Sequence, residues 1–181
     1  MSFLPKDYEV PETASNYMKL KAGEHLFRVL SPAIVGYEYW TTENKPIRLK
    51  EYPESVPENI KPKSRINHFW AFKVWNYKTE SIQILQIIQS TIQDAIKNLH
   101  DDPDWGNPSG YDIKITREGE SFNDTKYFVV AKPHKELDVK VKEADENTPV
   151  DLNLLFKGED PFGGMKDTEA PQNINSDDVA F

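Results

Sequence analysis

Residues 68–77, HFWAFKVWNY, constrain this chain more than any other stretch. Five of the ten are Phe, Trp or Tyr and one is Val, the composition of a strand. Strand side chains alternate between faces, so the run divides into two sets. His68, Trp70, Phe72, Val74 and Asn76 form one set, which reads as a core face. Phe69, Ala71, Lys73, Trp75 and Tyr77 form the other, and it places a lysine among three aromatic rings. Bases stack on aromatic rings whatever their sequence, at about 1–3 kcal/mol each, while cations follow the phosphates, so a surface that binds single strands needs this mixture. Aromatics that fill a core while Lys73 reaches to water would leave the same pattern, and alternation does not separate the two.

The neighbouring segments supply the rest of a sheet. Segment 25–30 (HLFRVL) is strand-like, Ser31-Pro32 breaks it, and 34–42 (IVGYEYWTT) is again rich in β-branched and aromatic residues. Residues 43–66 carry Pro46, Pro53, Pro57 and Pro62 among Lys45, Arg48, Lys50, Lys61, Lys63 and Arg65. That pattern predicts a long basic loop, of a length that is usually either functional or disordered. The chain turns at 77–81, and IQILQI at 82–87 runs back as a hairpin partner. A helix opens at Ser90 or Thr91, shows Ile92, Ala95, Ile96 and Leu99 at helical spacing, and stops at Asp101-Asp102-Pro103. Strands at 111–117 and 125–132 follow, joined by a turn at 118–124. This order predicts an all-β fold with one helix, namely an OB-fold: a five-stranded Greek-key barrel with the helix between strands three and four. It divides the chain into an N-terminal arm (1–23), a barrel domain (24–138) and an acidic tail (139–181).

Charge separates body from tail. Residues 1–142 hold 20 Lys and Arg against 20 Asp and Glu, while 143–181 hold Lys157 and Lys166 against ten acids, which is the whole net charge of −8. A neutral body can still carry a basic stripe on one face. From Glu143 the chain is too polar, apart from LNLLF at 152–156, to offset the entropy of ordering it, so the tail is expected to be disordered. Its end, NINSDDVAF, places Asp177 and Asp178 before Phe181, a peptide suited to insert a ring in an apolar pocket of a partner while its acids meet a basic rim. The opening MSFLPKDYEV has no basic segment followed by an apolar run, and no eighteen apolar residues stand together, so neither an export signal nor a membrane span is expected.

The candidate contacts for a single strand are Phe69, Lys73, Trp75 and Tyr77, with Tyr37 and Tyr39, which share one face of their strand. Arg28 stands between Phe27 and Val29, where a charge is costly unless paired or solvated, and phosphate contact and a salt bridge fit it equally. Lys45, Arg48, Lys50, Lys63 and Arg65 could close over a bound strand, although proline-rich charged loops are more often merely solvated. Enzyme signatures are poor. There is no cysteine, His25, His68, His100 and His134 are scattered without an HExxH pattern, and no Walker or GxGxxG motif occurs, so no metal, cofactor or catalytic residue is expected.

FRVLSPAIVGYEYW (27–40), HFWAFKVWNY (68–77), IQILQI with the helix after it, and DDPDWGNPSGYDIKITREG (101–119) resemble, in that order, bacteriophage single-stranded DNA-binding proteins. The resemblance implies an OB-fold and sequence-tolerant coating of single strands in phage replication, recombination and repair. It also implies the cytoplasm of an infected bacterium as location, and an acidic tail that recruits a polymerase, helicase or nuclease. Self-association on the strand is left open. The expectation is a non-catalytic single-stranded DNA-binding protein; the alternative is an OB-type barrel with a protein or carbohydrate ligand, since a fold alone does not decide function.

Overall fold

The computed structural model describes Phe3, Pro5 and residues 15–163; Asp177, Asp178 and Phe181 lie outside the described residues. Seven strands form one antiparallel sheet: β1 (Gly23–Val29), β2 (Ile34–Trp40), β3 (Pro46–Leu49), β4 (Asn67–Asn76), β5 (Ser81–Ile87), β6 (Asp112–Glu118) and β7 (Lys126–Ala131). β4, the aromatic strand, organises it. One of its edges pairs with β5, from Trp70↔Ile87 to Asn76↔Ser81. Its other edge meets β2 first, at Ile34↔Ala71, and then β1, at Phe27↔Asn76, so β1 and β2 line a single edge on either side of the break at Ser31-Pro32. β6 pairs with β1, β7 with β6, and β3 with β2.

Helix α1 (Ser90–Asp101) lies between β5 and β6 and buries Ile92 and Ile96. Those residues join Phe72, Val74, Leu85 and Ile113 in the main core, on the even-numbered face of β4. The segment before β1 adds to it: Met18 and Leu20 are buried, and the backbone around Tyr17 bonds to Ile84.

Three expectations are corrected. The sheet is not closed into a five-stranded barrel; it is an open sheet of seven strands, with β7 paired to β6 alone. Residues 43–66 are not all loop, because Pro46–Leu49 forms β3. Proline is tolerated as the first residue of a strand, and Arg48 turns inward to an ion pair with Glu38, which makes the segment worth ordering. Nor is 139–163 unpacked: helix α2 (Val139–Asn147) and a 3₁₀ segment (Leu152–Lys157) lie across the odd-numbered face of β4. Val141, Leu152, Leu155 and Phe162 are buried there against Phe69, Ala71, Trp75, Ile82 and Ile84, a second core. Gly36 permits the approach, since a Cβ on it would stand 2.9 Å from the Phe156 ring and 2.4 Å from the Leu49 carbonyl oxygen.

Candidate nucleic-acid interface

The odd-numbered face of β4 is covered. Phe69 is fully buried and Trp75 is 4% exposed, so neither offers a ring to a base in this structure. Lys73 is buried too: its Nζ lies 2.6 Å from Asp145 Oδ1 and donates to the Asp145 carbonyl, so its charge is met by α2. The mixture of lysine and rings is therefore the pattern of a core with an internal ion pair.

Arg28 and Arg48 follow the same logic. Arg28 Nε donates to Asp112 Oδ1 at 2.7 Å, and its two remaining nitrogens donate to the carbonyls of Ser109 and Lys135. The Tyr77 hydroxyl donates to the same Asp112 oxygen at 2.8 Å, and Lys135 Nζ stands 3.2 Å from the other. Burial first, and the Asp112 carboxylate second, push the Tyr77 hydroxyl well above the usual tyrosine range, so it stays a neutral donor at ordinary pH. Arg48 Nε lies 3.0 Å from Glu38 Oε2, and Gln86 bridges the pair. A buried charge needs such a partner, and neither arginine is left to contact phosphate.

Tyr39 is buried, with its hydroxyl donating to Asn59 of the long connection at 3.3 Å. Tyr37 is different. It is half-buried, with its ring 5.3 Å from that of Tyr52 and 5.3 Å from that of His68. Tyr37 and His68 are directly paired across β2 and β4, so their side chains share a face. The next pair on that face is Val35 and Trp70, about 7 Å along the strands. Val35 is 53% and Tyr52 61% exposed, while Trp70 is half-buried. A row of rings thus remains open on the even-numbered face, beyond the part that α1 covers.

Exposed cations flank β3 and precede β4 in the chain. Lys61, Lys63 and Arg65 are all exposed, no acid interrupts them, and they lead directly into β4. Lys45 is exposed beside Glu43, at 3.8 Å, and exposed Lys50 lies over the Phe156 ring of the covering segment. Of the residues expected from sequence, the structure leaves Tyr37 half-buried and Lys45, Lys50, Lys63 and Arg65 exposed, and places Phe69, Lys73, Trp75, Arg28, Arg48 and Tyr39 inside.

Sequence reasoning missed Tyr52, His68 and Trp70. For Tyr52 a signal existed: a tyrosine in the charged stretch KEYPE has no local apolar partner and is pushed to the surface. His68 and Trp70 were hidden by their membership of a face that is core further along the strand.

Beside Trp70 the row runs into a cleft of about 630 Å³ between the β1–β2 break, α1 and the 3₁₀ turn Pro108–Gly110. Among the described residues no group of His, Asp or Glu could hold a metal ion, and no helix is long and apolar enough to cross a membrane. Comparison with protein-family models, with curated proteins and with solved structures finds no match.

Proposed function

We propose that this protein binds single-stranded DNA, without catalysis, along the exposed row Tyr52–Tyr37–His68 and the cation run Lys61–Arg65. The observation that carries the reading is the open row of Tyr52, Tyr37 and His68 on one face of the sheet, with three exposed cations in the segment that leads into β4. Rings of this kind reach the π-faces of unpaired bases, whereas a duplex keeps its bases stacked inside. We further read the sheet as an open variant of the OB-type barrel, with β1 and β2 as one broken strand and α1 between two hairpins. In that reading residues 41–66 occupy the place of a loop that OB-folds use for oligonucleotides.

Magnitudes favour the open row over the covered face. Burying Val141, Leu152, Leu155 and Phe162 is worth roughly 1.5–3 kcal/mol per side chain, about 6–12 kcal/mol together. One or two bases stacking at about 1–3 kcal/mol each would not displace that segment. The role follows the resemblance: coating single strands in phage replication, recombination and repair, with the acidic sequence after Gly163 recruiting replication enzymes.

The test is anisotropy of a labelled oligo-dT titrated with the full-length chain, wild type and Tyr52→Ala. Affinity should fall about tenfold in the variant, the scale of one lost stacking contact. Equal binding by wild type and variant would remove the row from the interface, and absence of binding would move an OB-type barrel with a protein or carbohydrate ligand to first place.

A further inference from the structure

We propose that the cleft beside Trp70 is a subsite for a single unpaired nucleobase, where a bound strand is anchored by insertion rather than by stacking on an open ring. The inference rests on the reading above and extends it. Its first support is continuity, because Val35↔Trp70 follows Tyr37↔His68 on the same face of the same two strands. A strand stacked on Tyr52 and Tyr37 reaches the cleft within one further nucleotide step.

The cleft has the size and lining of a small-molecule site. Its volume of about 630 Å³ lies within the range of roughly 300–1,000 Å³ over which compact aromatic ligands bind. Leu30, Pro32, Val35, Trp70, Phe72 and Ile96 make it predominantly apolar. Polar groups stand at its mouth: the Asn107 side-chain Oδ1 accepts from the Ser109 backbone N–H at 3.0 Å, which leaves the Asn107 side-chain NH₂ to donate to a base edge. Apolar walls with a few placed donors suit a heterocycle.

The charges around it orient the nucleotide. On the α1 side Asp101 borders the cleft, bonded by both Lys97 and His100, so Lys97 is already engaged and a phosphate would face a carboxylate. Lys61, Lys63 and Arg65 are exposed in the segment that leads into β4. In this proposal these cations meet the phosphates while the base turns inward toward Trp70. A base held in a duplex has its edge and both faces occupied, so this subsite accepts single strands only.

Tryptophan fluorescence of the full-length protein reads the subsite. Trp40 and Trp75 are buried and Trp105 stacks on His134, which leaves Trp70 as the indole at the cleft. Oligo-dT should quench the wild type, and Trp70→Phe should abolish the quenching while Trp105→Phe keeps it. Val35→Glu, at an exposed position, should weaken binding of a labelled strand about tenfold or more with an unchanged melting temperature. If the labelled strand binds, yet quenching survives Trp70→Phe and Val35→Glu binds as wild type, the subsite is refuted and the single-strand reading stands. If no strand binds at all, both fall. Quenching by a peptide of residues 173–181, with none from oligo-dT, would give the cleft to an acidic peptide and overturn the proposal.

Discussion

Arg28, Arg48 and Lys73 lie on one face of the sheet, and each is neutralised by a carboxylate brought from elsewhere: Asp112, Glu38 and Asp145. Removing one partner from such a pair leaves a buried charge uncompensated, at roughly 3–5 kcal/mol. Asp112→Ala should therefore lower stability by about that amount in urea unfolding, since it also orphans the Tyr77 hydroxyl. Lys63→Ala, on an exposed residue, should change stability by no more than about 0.5 kcal/mol. It should instead reduce the slope of log K against log salt for single-strand binding by about 0.7, the contribution of one phosphate contact. Sequence pattern could not separate these two classes of cation. A lysine flanked by rings fits a phosphate contact and a buried ion pair alike, and Asp145, the residue that decides, is 72 positions away in a segment too polar to be expected in a core.

The elements of the body were legible because each carries a local signal. β4 and β5 alternate, α1 repeats its apolar residues at helical spacing and stops at Asp102-Pro103, and β6 and β7 flank a polar turn. The covering segment 139–163 was not, for a physical reason. Composition asks whether a stretch can build its own core, and this stretch instead contributes four buried apolar side chains to a face that β4 and β5 already provide. It carries three lysines against six acids, so apart from Asp145, which meets Lys73, its polar side is acidic while its inner side is apolar. Truncation after Asp138 should cost several kcal/mol of stability, measured by urea midpoint, because it uncovers Phe69, Trp75 and Ile84. Leu155→Ala in the whole chain should cost about 2–5 kcal/mol, the range for a large-to-small change in a packed core. If the shortened protein kept its full stability, the second core would not be part of the fold's support.

Across the whole molecule, the neutral body and the acidic sequence after Lys142 take on spatial meaning. The described part of the acidic sequence lies over the odd-numbered face of β4, and the Tyr37 and His68 rings lie on the other face. On the proposed reading, the acidic cover disfavours a strand on the odd-numbered face and leaves the open row for it. The face on which a strand would lie was not legible, because both faces of β4 carry rings and only the long-range packing of 139–163 decides which stays open. The measurement that tests this most directly is a salt-dependent anisotropy titration of labelled oligo-dT and of a matched duplex. It compares wild type with the variant carrying Lys61→Ala, Lys63→Ala and Arg65→Ala. The expected result is saturable binding of the single strand in preference to the duplex, with a log–log salt slope that becomes shallower by about 2 in the variant. Equal affinity for both nucleic acids, or an unchanged slope in the variant, would contradict the assignment of this surface to single-stranded DNA.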